Sequence, residues 1–447
     1  MYKMSNTLRI TAILLVVVGI LGIGYGFLSA PKTAEEAMEM QSHGDHHEHD
    51  QAVVDAYGDD AAAVVQHDDT HAAGGDHHDA EHAEHVFHQM ANRPWSAVMV
   101  PMLFFFLISV GALVFYAIQN ISQAGWSPLL FRVMQGISNY MLPGAIIIYV
   151  FMLLSAFHFN HLYVWMDEAT VAEDAVIQLK TAYLNVPFFI LRMTLILGGW
   201  LLFRYFLVRN EVKQDESLNM PLYKKNLKIS IAFLLIFIFS EAVLVWDFIM
   251  SLDPHWYSTL FAWFVFASMF VSAITVIAMV SIYLKSKGLL EKVNDSHIHD
   301  LAKFMFGLSI FWTYLWFSQF MLIWYANMPE ESVYFVSRIE NYKLMFFGTL
   351  AINFICPLLI LMNSDFKRVN FLVVLTGILL LVGHYFNFFL LIMPGTVGES
   401  WAIGIPEIGS ILFFAGLFIW FVFSGISKLP LVPKNSPFLK ESKHYHY

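Results

Sequence analysis

Cysteine is nearly missing from this chain: one residue, Cys356, in 447. No internal disulfide can form. There is no C-x-x-C-H run for covalent haem and no cysteine set for an iron–sulfur cluster. Charge is also scarce, at 13% of residues, against about 25% in soluble domains. The formal net charge is −10, so the basic surface that nucleic-acid binding requires is absent. What fills the space is apolar: 58% of residues are hydrophobic, gathered in blocks of about twenty, the length that crosses a bilayer as a helix.

Such blocks occur at 8–28, 96–119, 136–158, 185–207, 226–249, 258–284, 301–326, 342–363, 369–393 and 406–427. They predict an all-α integral membrane protein with ten transmembrane helices. Basic residues set its orientation. Lys3, Arg9, Arg132, the run from Arg204 to Lys228, Lys285 to Lys303, Lys367, Arg368 and Lys428 to Lys443 fall on one side. Only Lys32, Arg93, Lys180, Arg338 and Lys343 fall on the other. That bias places both termini in the cytoplasm. The first run has Lys3 and Arg9 ahead of it like a signal peptide, but it is long for one and Pro31 follows the small pair Ser29-Ala30. It is read as a retained helix.

The expected organisation has five parts. Residues 1–28 form the first helix and 29–94 a loop rich in histidine and acid. Residues 95–255 form one four-helix bundle (helices two to five) and 256–395 a second (helices six to nine). Residues 396–447 hold the tenth helix and a tail, so that helices one and ten are peripheral. The pairing of the bundles rests on a weak internal repeat: FSEAVLVWDFIMSLDP of helix five set beside LVGHYFNFFLLIMPG of helix nine brings Glu241 near His384, in the same in/out sense, as a parallel repeat would. In the histidine-rich loop, imidazole and carboxylate suit a divalent metal; a flexible acidic segment lying on a partner is the plainer reading, and no single metal site is assigned.

The stretch SEAVLVWDFIMSLDPHWYSTLFAWF organises the rest. It carries Glu241, Asp247, Asp253 and His255 in or beside apolar runs. An ionisable group at bilayer depth pairs, or lines a wet cavity. Glu241 reads as a proton relay or as a hydrogen bond between helices. Asp247 lies six residues on, about 120° round the helix. Asp253 caps the next helix or, with His255, takes a proton at the outer surface. Arg192, inside helix four, is expected to pair with Glu241 or Asp247. His384, mid-helix in span nine, is a relay member or a satisfied core histidine. Aromatic residues of helix seven around Gln319 and Trp324 pack together or flank a quinone ring, with His158 a further quinone candidate at the end of helix three.

Three segments, SEAVLVWDFIMSLDPHWYSTLF, SQFMLIWYANMPEE and KTAYLNVPFFILR, resemble the NrfD-like (polysulphide-reductase type) integral membrane subunits. Within that family the resemblance is to the quinone-binding subunit 2 branch of alternative complex III, a bacterial quinol:cytochrome c oxidoreductase, over residues 96–430. It implies ten helices in two four-helix bundles and residence in the bacterial inner membrane. It also implies a multisubunit respiratory chain complex with a multihaem cytochrome c, a monohaem cytochrome c, an iron–sulfur protein and a sister subunit of the same fold. Haem c and iron–sulfur clusters would then belong to the partners, with no cofactor covalently bound here and quinol the one small molecule to consider. Proton conduction is the role implied for this branch, carried over to Glu241, Asp247, Asp253, His255 and Arg192, and the expected path runs through Glu241, Asp247, Arg192 and His384 toward Asp253 and His255. A purely structural anchor for the haem and iron–sulfur subunits, and a secondary transporter, are the alternatives.

Overall fold

A computed structural model of the chain describes residues 2–44, 75–216 and 220–446. Among these residues there is no strand, and ten helices are long and apolar enough to cross a membrane: Asn6–Ser29, Val86–Ile121, Pro128–Ala156, Val186–Gln214, Met220–Leu252, Leu260–Ser286, Asp295–Ala326, Lys343–Leu361, Asn370–Thr396 and Ile405–Ser427. They are called the first to tenth spans below. Every expected run has its helix.

The spans form two rings of four. In the first ring the second span packs on the third, the third on the fourth, the fourth on the fifth and the fifth back on the second. In the other, the sixth, seventh, eighth and ninth spans close in the same way. The rings meet where the second and fifth spans touch the sixth and the second touches the ninth. The second and sixth spans are therefore enclosed, and their apolar side chains are buried nearly all round, as helices at the centre of a bundle must be.

The first and tenth spans lie against each other outside the rings. The buried residues of the first span are all small: Ala12, Gly19, Gly22 and Gly26. A Cβ built on Gly22 would come within 2.7 Å of the Gly409 Cα, and one on Gly19 within 2.5 Å of the Phe413 backbone nitrogen. Small residues allow this backbone approach, and in lipid, packing of this kind holds helices together. The opposite face carries Leu14, Leu21 and Leu28, all exposed.

The local sequence explains the helix ends. Asn185 accepts from the Phe188 amide and Pro187 follows it at the start of the fourth span, the usual cap-then-proline order. Asn294 and His297 form a capping box on the seventh span. Glu407 accepts from Gly404 N at 2.7 Å on the tenth and pairs with Arg93 at 2.9 Å.

Two expectations change. The expected loop 29–94 is partly helical: Ala34–Gly44 is a helix, and Gly75–Ile121 is one continuous helix that carries the second span. Ala, Glu and His follow Gly75 with no proline before Pro94, so nothing stops the helix from extending backward. Five of that loop's eleven histidines, His46, His47, His49, His67 and His71, lie in residues 45–74, outside the described residues. The eighth span is also irregular, with a π-helical turn at Ala351–Ile355, a feature often met at functional sites.

Candidate functional site

Buried residues of the fifth span are Asn226, Ser230, Phe233, Phe237, Glu241, Leu244, Val245, Asp247 and Phe248. Intervals of three and four make this one inward stripe, and Glu241 is on it. Its side chain is turned into the protein, 4% exposed. One carboxyl oxygen, Oε1, has no hydrogen-bond partner. An unpartnered polar atom at such depth carries a desolvation cost of about 1–3 kcal/mol, and packing alone gives no reason to keep it.

Asp247 has a different environment. Arg192 donates to its two oxygens, Nε to Oδ2 at 2.7 Å and Nη2 to Oδ1 at 2.9 Å. This is the two-pronged geometry that guanidinium and carboxylate favour. The arginine also donates from Nη1 to the Tyr183 carbonyl at 2.9 Å and lies 3.9 Å from the centre of the Tyr183 ring. The expectation that Arg192 pairs with a carboxylate is met, by Asp247. Ser251 donates to the Asp247 carbonyl at 2.6 Å. A groove of about 480 Å³, lined by Tyr183, Trp246 and Ser251, runs beside the pair.

Toward the same end of the bundle the chain opens into a polar cavity of about 510 Å³. Three loops and the start of the second span build it, and Asp253, His255, Asp167, His88, His158 and His161 line it. Asn92 and the His161 backbone exchange two hydrogen bonds, 3.0 and 3.1 Å, which fix one wall. Burial, and then His88 beside it, hold His161 below the usual histidine value. The Thr170 hydroxyl, which donates to Asp167 at 2.9 Å, lowers the Asp167 carboxyl. His255 reaches out of the cavity to Asp174, 2.5 Å away. Trp256, which reads equally well as part of an interfacial belt, is buried and stacked on Tyr334 at 3.8 Å.

No protein-family model matches this chain, and no curated protein matches it.

His384 is in the second ring, on the ninth span. It is fully buried. Its Nδ1 meets Ser268 Oγ at 2.9 Å, Asn387 donates to the same oxygen at 3.3 Å, and Nε2 has no partner. Trp312 stands edge-on to the ring at 5.4 Å. Asn353, in the π-helical turn, is buried with both polar side-chain atoms unpartnered. It packs on Gly383, where a Cβ would lie 2.0 Å from Asn353 Oδ1.

The three quinone candidates do not converge. His158 lines the 510 Å³ cavity with φ of 60°. Gln319 lines a small cavity in the second ring. Trp324 is 67% exposed on the outside of the bundle, where a tryptophan faces lipid or a partner rather than a ring-binding pocket.

A second polar cluster, unforeseen from sequence, lies at the opposite end of the first ring. Tyr116 donates to Glu211 at 3.3 Å and Asn226 donates to the Tyr116 oxygen at 3.1 Å. Arg132 pairs with Asp215 at 2.5 Å and reaches the Glu211 carbonyl. Glu211 and Arg132 are both buried. Glu211 stands at the end of an apolar run beside Lys213 and Arg209, so it reads as part of a charged flank. Its one distinguishing signal is helical spacing: it lies four residues beyond Leu207, which is buried with it.

Proposed function

We propose that this chain is a membrane subunit of a respiratory quinol:cytochrome c oxidoreductase and carries protons through the first ring. Glu241 is the loading group. The Asp247–Arg192 pair, about 9 Å further along the helix from Glu241, stands between it and the cavity that holds Asp253 and His255. The observation that carries this reading is the inward-turned Glu241 with an oxygen that nothing satisfies, since carboxylates desolvated in a bundle can take up and release protons near neutral pH. The family resemblance supplies the complex: haem and iron–sulfur partners carry the electrons, and this chain carries no cofactor of its own. The bacterial inner membrane is what the resemblance implies, and the distribution of lysine and arginine supports both termini in the cytoplasm.

The test is Glu241→Gln in the assembled complex, reconstituted in vesicles. Proton release per electron should fall while quinol oxidation and subunit composition stay intact. Unchanged proton movement removes Glu241 from the mechanism.

One observation favours a second reading, a structural anchor for the electron-carrying subunits. Asp247 and Arg192 are so fully satisfied that they need no proton traffic to explain them. Under that reading Glu241→Gln lowers the stability of the complex and leaves proton coupling alone.

A further inference from the structure

A second buried arginine, Arg338 on the helix Pro329–Asn341 that links the seventh and eighth spans, makes contacts like those of Arg192, which lies inside the fourth span. In the first ring Arg192 donates to the carbonyl of Tyr183, stacks on that ring, and binds the carboxylate at position 247. In the second ring Arg338 donates from Nη1 to the carbonyl of Tyr334 at 2.6 Å, lies 3.4 Å from the centre of that ring, and donates from Nε to the backbone oxygen of residue 390 at 3.1 Å. Position 390 follows His384 at the same interval as 247 follows Glu241. It is a leucine. The carboxylate that neutralises the first arginine has no counterpart at the second.

Arg338 is nonetheless only 6% exposed. Asp253 acts on it at longer range, and among the described residues no carboxylate forms an ion pair with it. A buried guanidinium without a counter-charge is one of the costliest arrangements a protein can hold. Beside it is a cavity of about 20 Å³, walled mostly by apolar and aromatic side chains such as Phe264, Trp316 and Phe346, with Arg338, Gln319 and Asn387 among its polar members. That is room for a single water-sized atom. Gln319 is 4% exposed and its Nε2 has no partner. Arg338 has N–H groups left over after its two carbonyl bonds, and Asn387 has one after its bond to Ser268. A small site whose polar members include a guanidinium and two amides, set in an otherwise apolar wall, selects an acceptor with negative charge.

We infer that this cavity is a binding site for a monovalent anion, chloride in ordinary media, which takes the place of the carboxylate found in the first ring. The inference does not depend on the proton-carrying reading. It concerns only how the second arginine is neutralised.

The full chain, purified in detergent, should show a Tm at least ~3 °C higher in sodium chloride than in sodium gluconate of equal ionic strength. Leu390→Asp supplies the missing carboxylate from within and should abolish that difference. A wild-type Tm that is the same in both salts overturns the proposal, and so does a Leu390→Asp protein that keeps the full chloride response. Bromide provides a readout that needs no variant. Anomalous scattering from crystals grown in bromide should give a peak between Arg338 and Gln319, and no peak there means that the cavity takes water only.

Discussion

Arg338 donates to the backbone oxygen of Leu390 at 3.1 Å, whereas Arg192 binds the side chain of Asp247 in the other ring. The two rings thus share a type of contact as well as a helix count. They differ where it matters chemically: a carboxylate with a free oxygen at 241, an imidazole with a free nitrogen at 384.

The Arg192–Asp247 pair gives the sharpest stability prediction. Both side chains are buried, so removing one leaves an uncompensated charge, at a cost of about 3–5 kcal/mol. Asp247→Asn and Arg192→Gln should each lower the midpoint of thermal unfolding in detergent strongly. Arg192→Met combined with Asp247→Leu should be milder than either. A double variant as damaged as the sum of the singles would show that the pair is not the unit that matters.

Packing of the first span on the tenth depends on Gly22 and Gly409, whose backbones nearly touch. Gly22→Leu should separate the two spans, because a side chain there meets backbone and not a movable group. Hydrogen exchange of residues 12–26 should rise, with little change in the fourth and fifth spans on the far side. Gly24→Leu is the control: a Cβ at Gly24 meets nothing within 4 Å, and exchange should stay as in the wild type.

The cavity walls carry a pH dependence of known sign. The folded state holds His161 below its ordinary value through burial and His88. Its contribution is therefore fully present above the ordinary histidine pKa of about 6.5 and is lost as pH falls below it, because the unfolded loop then binds more protons. Asp167, lowered mainly by Thr170, acts in the same direction at lower pH, below the ordinary carboxylate value of about 3.9. Backbone exchange of residues 158–170, corrected for intrinsic rates, should show less protection at pH 5.5 than at pH 7.5. His161→Gln should flatten that difference.

How much of this was legible in the residues depends on contrast. A carboxylate or arginine inside an apolar run stands out, so Glu241, Asp247 and Arg192 could be named, and burial of the fifth span's acidic side followed from the cost of exposing it to lipid. Alignment of Glu241 with His384 was visible too, and the structure puts the two residues one in each ring, as the two expected bundles require. Arg338 and Glu211 lacked contrast. Arg338 belongs to the amphipathic helix Pro329–Asn341, which reads as a polar connection between spans, and Glu211 borders a cluster of basic residues. Asn353 was hidden because a π-helical turn has no sequence pattern of its own. Trp324 shows the opposite error: an aromatic at a suggestive place in the sequence whose position on the helix turns it outward.

Glu211 gives a test that separates conduction from architecture at the far end of the first ring. Its carboxylate accepts from Tyr116, and Asn226 of the fifth span completes the set. Between Asn226 and Glu241 the buried stripe holds Ser230, Phe233 and Phe237, a distance of about 22 Å along the helix, with the Ser230 hydroxyl buried and unpartnered. If protons reach Glu241 from this end, Glu211 is the first buried group able to take one. Glu211→Gln keeps an acceptor for Tyr116, so the fold should hold while proton uptake by the reconstituted complex falls at least several-fold. Glu211→Leu removes the acceptor as well and should lower stability by about 1–3 kcal/mol. Uptake that survives in the Gln variant, with stability lost only in the Leu variant, would make Glu211 a packing residue and place the entry elsewhere in the ring.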